Sequence, residues 1–197
     1  FPWSWWASMD FCCEPEISSD RAEVRNRVAR TAEMLLHLTG AAAGAGIKPP
    51  MPVVQGWLVR DYRESVDRTA DALCGEWPGM IGVGSMCRRD AASARAVIEA
   101  LDQVVPSSVA FHLFGAKSDI LPSLADIIGS GREIQSDSMA GDLACRYERP
   151  SEIPSSVEVR ACWGMAFYWR TLTGWLANPS VCASVGSPDP QTRMFDV

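Results

Sequence analysis

Short apolar runs alternate with amphipathic stretches along most of this chain, and that alternation limits the fold more than any other feature. Runs of four to eight apolar residues read as buried strands, and apolar residues recurring every three or four positions read as helices packed on them. Strands separated by such helices must run parallel, because each connection has to return to the same edge. The runs fall at 6–13 (WASMDFCC), 52–57 (PVVQGW), 80–86 (MIGVGSM), 108–117 (SVAFHLFGAK) and 133–139 (EIQSDSM). Helices are expected over 21–38, 61–74, 91–105 and 118–128, the last interrupted by Pro122, with Ser19 and Asp20 as N-cap candidates for the first. The segment GAAAGAGIKPPMP, from Gly40, reads as a flexible connector. Five such units fit either an open doubly wound sheet or part of an eight-stranded barrel, and both collect their chemistry at the carboxyl ends of the strands.

Beyond the repeating units, residues 148–158 carry Pro150 and Pro154 and read as a loop. Residues 157–177, with Trp163, Phe167, Trp169, Leu172 and Trp175, read as one long helix whose aromatic rings serve packing. The expected division is a βα domain over 1–147 and a Trp-rich helical extension with an irregular tail over 148–197. With 197 residues, a single sizeable core is possible. No apolar run approaches the length of a membrane-spanning helix. Lys and Arg number 18 against 24 Asp and Glu, a formal net charge of −6, which argues against holding nucleic acid by bulk electrostatics while leaving room for a local basic surface. Seven cysteines cannot all pair, and no CxxC spacing is present, so reduced thiols in a cytoplasmic protein without a zinc site are expected. The first residues, FPWSWWASMDF, do not read as a signal peptide.

Standard nucleotide-phosphate loops are missing. GVGSMC supplies the first two glycines of a dinucleotide fingerprint and places Cys87 at the third, and there is no GxxxxGK[ST]. The strand ends instead carry Asp10 and Cys12, Gln55, Gly84 and Ser85, Lys117, and Asp137. A carboxylate suits the N1–H and exocyclic amine of a guanine-like base, and an amide or a backbone N–H suits its O6. A further carboxylate can hold a sugar carbon covalently between the loss of one base and the arrival of another, as in retaining glycosidases. Arg88 and Arg89 follow the GVGSMC turn and are candidates to meet a phosphate.

Read in order, MDFCCEP, VVQGW, IGVGSMCRR, HLFGAK and IQSDSMA resemble the second part of the tRNA-guanine transglycosylase family. They are most similar to its bacterial and phage branch, which inserts 7-deazaguanine bases into DNA. The resemblance spans roughly residues 5–145. It implies a TIM (β/α)8 barrel of which the last five βα units are visible here, and exchange of guanine for a deazaguanine at C1′, with DNA preferred over tRNA. By the same resemblance Asp10 and Cys12 hold the purine edge and Gln55 contacts the base. Gly82 and Gly84 offer backbone groups to it, Gly115 and Lys117 join the substrate site, and Asp137 is the nucleophile. The family's Asp-Ser-Gly segment, which carries its general acid/base, has no counterpart here. The first three strands and that residue are therefore expected upstream of Phe1 or on another chain. The family's zinc motif is absent too, so no cofactor is expected. Two other readings remain open: a non-catalytic module that binds a purine or a protein, and a barrel lyase using Lys117.

Overall fold

The computed structural model describes residues 5–117 and 120–137. In chain order the elements are α1 (Pro15–Ser18), α2 (Arg21–Ala45), β1 (Val53–Val54), α3 (Val59–Ala72), β2 (Met80–Val83), α4 (Ala91–Asp102), β3 (Ala110–Leu113), a 3-10 turn (Leu121–Leu124), α5 (Ala125–Gly129) and β4 (Ile134–Ser136). The expected Trp-rich helix and the tail lie outside the described residues.

All four strands are parallel and stand in the order β1-β2-β3-β4. Their register sets Val53, Gly82, His112 and Gln135 side by side, and beside them Val54, Val83, Leu113 and Ser136. Side chains alternate across a sheet, so these two rows face opposite ways. Val54, Ile81, Val83, Phe111 and Leu113 enter one core with Tyr62 and Val66 of α3, Val97, Ile98 and Leu101 of α4, Leu124 of the 3-10 turn and Ile127 of α5. Helices α3, α4 and α5 therefore cover the same face. A doubly wound sheet reverses its strand order and carries helices on both faces, whereas right-handed crossovers taken in sequence order keep them on one. The arc is singly wound, and the opposite face carries Val53, Gly82 and His112.

Local chemistry accounts for where each helix begins and ends. The Asp20 carboxylate accepts from the backbone N–H groups of Ala22 and Glu23, both at 3.0 Å, and opens α2. That helix runs seven residues beyond the expected Leu38, through the Ala-rich stretch read as a connector, and stops where Gly46 takes a left-handed φ of 66°. The buried Asp61 carboxylate accepts from the N–H groups of Trp57 (3.1 Å) and Leu58 (2.7 Å) and closes the start of α3. Asp90 does the same for α4 through Ser93 N–H at 2.8 Å.

Every strand is shorter than its apolar run, for identifiable reasons. The run 6–13 makes one parallel bridge, Ala7 with Met51. Beyond it the backbone finds other partners: Phe11 N–H donates to the Thr31 hydroxyl, Arg27 donates to the Cys12 carbonyl, and Cys13 N–H donates to the Ser85 hydroxyl. β1 ends because Gln55 N–H donates to Ser65 Oγ of α3 at 2.9 Å. β2 ends at a turn in which Ser85 adopts a φ of 55°, and β3 ends at Gly115 with a φ of 65°. No described helix is long and apolar enough to cross a membrane.

Candidate functional site

Four strands deliver four residues to one edge of the sheet: Gln55 after β1, Gly84 after β2, Gly115 after β3 and Asp137 after β4. The segment from Trp5 to Cys13 crosses beside β1 and adds Asp10 to them.

Gln55 is fully buried and lies at the centre of a polar network. Its Nε2 donates to Asp10 Oδ2, and its Oε1 accepts from Ser85 Oγ at 2.7 Å. Ser85 Oγ in turn accepts from Cys13 N–H at 2.8 Å. Those bonds set the orientation of the amide. The Ser85 oxygen receives the Cys13 proton, its own proton points at Oε1, and the amide nitrogen is left facing the carboxylate, the one arrangement without two acceptors in opposition. Burial raises the pKa of Asp10, and the hydrogen bonds it accepts, Gln55's among them, oppose that rise. A carboxylate has acceptor capacity beyond the oxygen that Gln55 engages.

Gly84 makes this network possible. A Cβ at that position would lie 2.6 Å from Gln55 Nε2, 2.7 Å from Cδ and 2.8 Å from Oε1. Its backbone groups are themselves engaged: the N–H donates to Val54 O at 3.0 Å, and the carbonyl accepts from the Tyr62 hydroxyl at 2.7 Å. Gly82 is engaged in the same way, through Pro52 O at 2.7 Å, and the Phe114 ring lies where its Cβ would stand. The two glycines thus shape the turn and leave no N–H directed at a ligand.

The structure separates residues that the sequence treated alike. Arg89 is 5% exposed. Its Nε donates to Ser85 O at 2.9 Å and its Nη2 to Trp57 O at 2.7 Å, while the guanidinium lies 4.4 Å from the Trp57 ring centroid. It braces the turns after β1 and β2 and is not placed to meet a phosphate, whereas Arg88 is exposed and paired with Glu16. Cys13 is buried within the network, and its thiol is pushed up to about 12 by burial; Cys12 is exposed. Exposed Lys117 lies just past the turn after β3.

At the far end of the arc, Asp137 Oδ1 accepts from Gly115 N–H at 2.6 Å, and Oδ2 lies 3.8 Å from His112 Nε2. The neighbouring Ser136 hydroxyl gives this carboxylate no support and bonds to backbone carbonyls, among them Ala116 O at 3.0 Å. The left-handed Gly115 supplies the support through its N–H; a Cβ there would lie 2.7 Å from that of Cys87. Sequence reasoning placed Ser85 at this edge but missed Tyr62 and His112, which are brought in by tertiary packing. Among the described residues, no group of three or more His, Cys, Asp or Glu is placed to hold a metal ion.

A singly wound parallel βα arc, with an amide–carboxylate pair at one end of its carboxyl edge and a backbone-held carboxylate at the other, places the chain among α/β proteins that gather polar groups at their strand ends. Residues 2–184 match the model of the family DpdA, DeoxyPurine in DNA protein A, and the chain belongs to that family. It is a family of 7-deazaguanine insertion into DNA related to the tRNA-guanine transglycosylases, so DNA is the nucleic-acid partner that the match supports. No curated protein matches the chain.

Proposed function

We propose that this chain exchanges guanine for a 7-deazaguanine base in DNA, with Asp137 as nucleophile and the Asp10–Gln55 pair as the purine-reading group. The observation that carries the reading is the placement of both carboxylates on one strand-end edge, Asp10 on the segment bridged to β1 and Asp137 after β4, four inter-strand steps apart. That separation is about 19 Å of arc, enough to admit a nucleoside between them.

In this mechanism a carboxylate oxygen of Asp137 bonds to C1′ as the bond from C1′ to N9 of guanine breaks, and the departing guanine takes up a proton. The incoming deazaguanine loses a proton as its N9 bonds to C1′ and the bond to Asp137 breaks. The exchange is therefore proton-neutral overall and consumes no cofactor. Asp10 accepts from N1–H and the exocyclic amine, while Gln55 and Ser85 hold its carboxylate in place. Cys12 and Lys117 border the same edge, and exposed Arg88 is the side chain offered to a phosphate. The unpaired face of the arc, with Val53, Gly82 and His112, becomes the interior of a (β/α)8 barrel, and the protein works in the cytoplasm.

The test is incubation of the full chain with guanine-containing DNA and labelled base. Label enters the DNA with the wild type, and a protein–DNA adduct survives denaturing electrophoresis. Asp137→Asn should lose at least about a thousandfold in exchange, as expected when a covalent nucleophile is removed. Exchange by that variant at the wild-type rate removes Asp137 from the mechanism. Purine binding without exchange by the wild type leaves a binding module.

A further inference from the structure

We infer that His112 is a positioning residue for Asp137, an inference that rests on the base-exchange reading given above. His112 is 6% exposed, on the face of β3 away from the helices, with the Trp5 ring at 5.3 Å and the Phe114 ring at 4.9 Å. Among the described residues neither Nδ1 nor Nε2 has a hydrogen-bond partner. Buried polar side chains are nearly always paired, and an apolar side chain of similar size would fill the same space without penalty. A group awaits that pairing: Asp137 Oδ2, 3.8 Å from Nε2, the one carboxylate that the described residues bring within 4 Å of this ring's nitrogens.

The geometry gives the pairing a purpose. Gly115 N–H already holds Oδ1, while the Asp137 side chain is 60% exposed and its other oxygen is left to water. When a deoxyribose covers Asp137, that water leaves, and a shortening of about 1 Å brings Nε2–H within hydrogen-bond distance of Oδ2. One donor on each oxygen then fixes the plane of the carboxylate toward C1′. His112 touches neither base nor sugar; it acts through Asp137.

Structural and positioning roles predict different results for His112→Leu. A positioning role predicts an unchanged or higher Tm, KM for DNA within about twofold, and kcat lower by about a hundredfold, the loss expected of a misplaced reacting group. His112→Gln, whose amide can present an N–H near the place of Nε2, should keep kcat within about tenfold of wild type. Wild-type kcat in His112→Leu, or Tm and kcat falling together in both variants, would overturn the inference. A second measurement does not depend on turnover. In imidazole 15N–1H spectra of the full chain bound to a guanine-containing oligonucleotide, the His112 Nε2–H proton should be shifted downfield and exchange slowly, and Asp137→Asn should abolish this, with exposed His37 as internal reference. A His112 resonance indifferent to Asp137→Asn refutes the pairing. If the wild type performs no exchange, the base-exchange reading fails by itself, and the spectra still decide the contact.

Discussion

Gly84→Ala is the sharpest test of how the strand-end network is built. The new methyl group would lie 2.6–2.8 Å from three atoms of the Gln55 amide, well inside the ordinary contact distance of about 3.4 Å. Gly84 does not carry a left-handed φ, so backbone strain contributes nothing and the effect is steric. Relief requires the amide to move by roughly 0.8 Å, yet Gln55 is fully buried and bonded at both ends, to Asp10 and to Ser85. Leaving one or two of these buried groups unpaired costs about 1–3 kcal/mol each, so the variant should lose about 3 kcal/mol. For a chain of this size that corresponds to a Tm lower by roughly 6–12 °C. Urea denaturation measures it, with Gly79→Ala as the control, because a Cβ at Gly79 meets nothing within 4 Å. A double-mutant cycle isolates the cause: in a Gln55→Ala background the same substitution should cost less than about 1 kcal/mol, since its target is gone. A Gly84→Ala loss below about 0.5 kcal/mol, or one undiminished in the Gln55→Ala background, refutes the reasoning.

Two further outcomes follow from local geometry. Asp20→Ala should destabilise the fold by about 1 kcal/mol in denaturant titration while Asp20→Asn loses little, because an Asn oxygen can also accept from Ala22 and Glu23; equal losses would show that charge and not capping is at work. Among the cysteines of the described residues, pulse alkylation at pH 8 should modify exposed Cys12 and Cys74 first, with Cys87 slower by at least about tenfold, since burial and the Glu14 carboxylate push its thiol up to about 11. Cys13 should react only on unfolding, and its labelling at the rate of Cys12 in the native protein would contradict its placement.

The parallel βα order was legible because apolar periodicity survives in a single sequence. Element lengths were less so. α2 continues to Ala45 because helical propensity among alanines outweighs Gly40 and Gly44 until Gly46 can cap the helix, whereas the glycine spacing alone reads as a linker. The run 6–13 contains strand-forming residues, but beyond its bridge to Met51 its backbone hydrogen bonds go to side chains of α2 and to Ser85, partners that exist only in the folded chain. Arg88 and Arg89 are adjacent and chemically identical; packing against Trp57 and Tyr62 turns one inward, and no local signal distinguishes it. Asp10, Gln55 and Asp137 could be singled out because strand ends collect polar groups. Which donor held each carboxylate, Gln55 for one and Gly115 N–H for the other, depended on neighbours far away in sequence.

Buried guanidinium groups stitch neighbouring units together at both ends of the strands. At the carboxyl end, Arg89 from the unit begun by β2 holds carbonyls of the loop after β1. At the amino end, Arg132, just before β4, donates to Val105, Pro106 and Val109 carbonyls ahead of β3 and to the Asp102 carboxylate. Both joints cross a unit boundary, and both need a planar fork that lysine lacks. The βα units of this chain are therefore not interchangeable modules. Recombining them with units from other parallel βα proteins would preserve hydrophobic patterning and still leave either a buried cation or a set of backbone carbonyls without a counterpart, so crossover points that keep each arginine with its acceptors are the ones that yield folded chimeras.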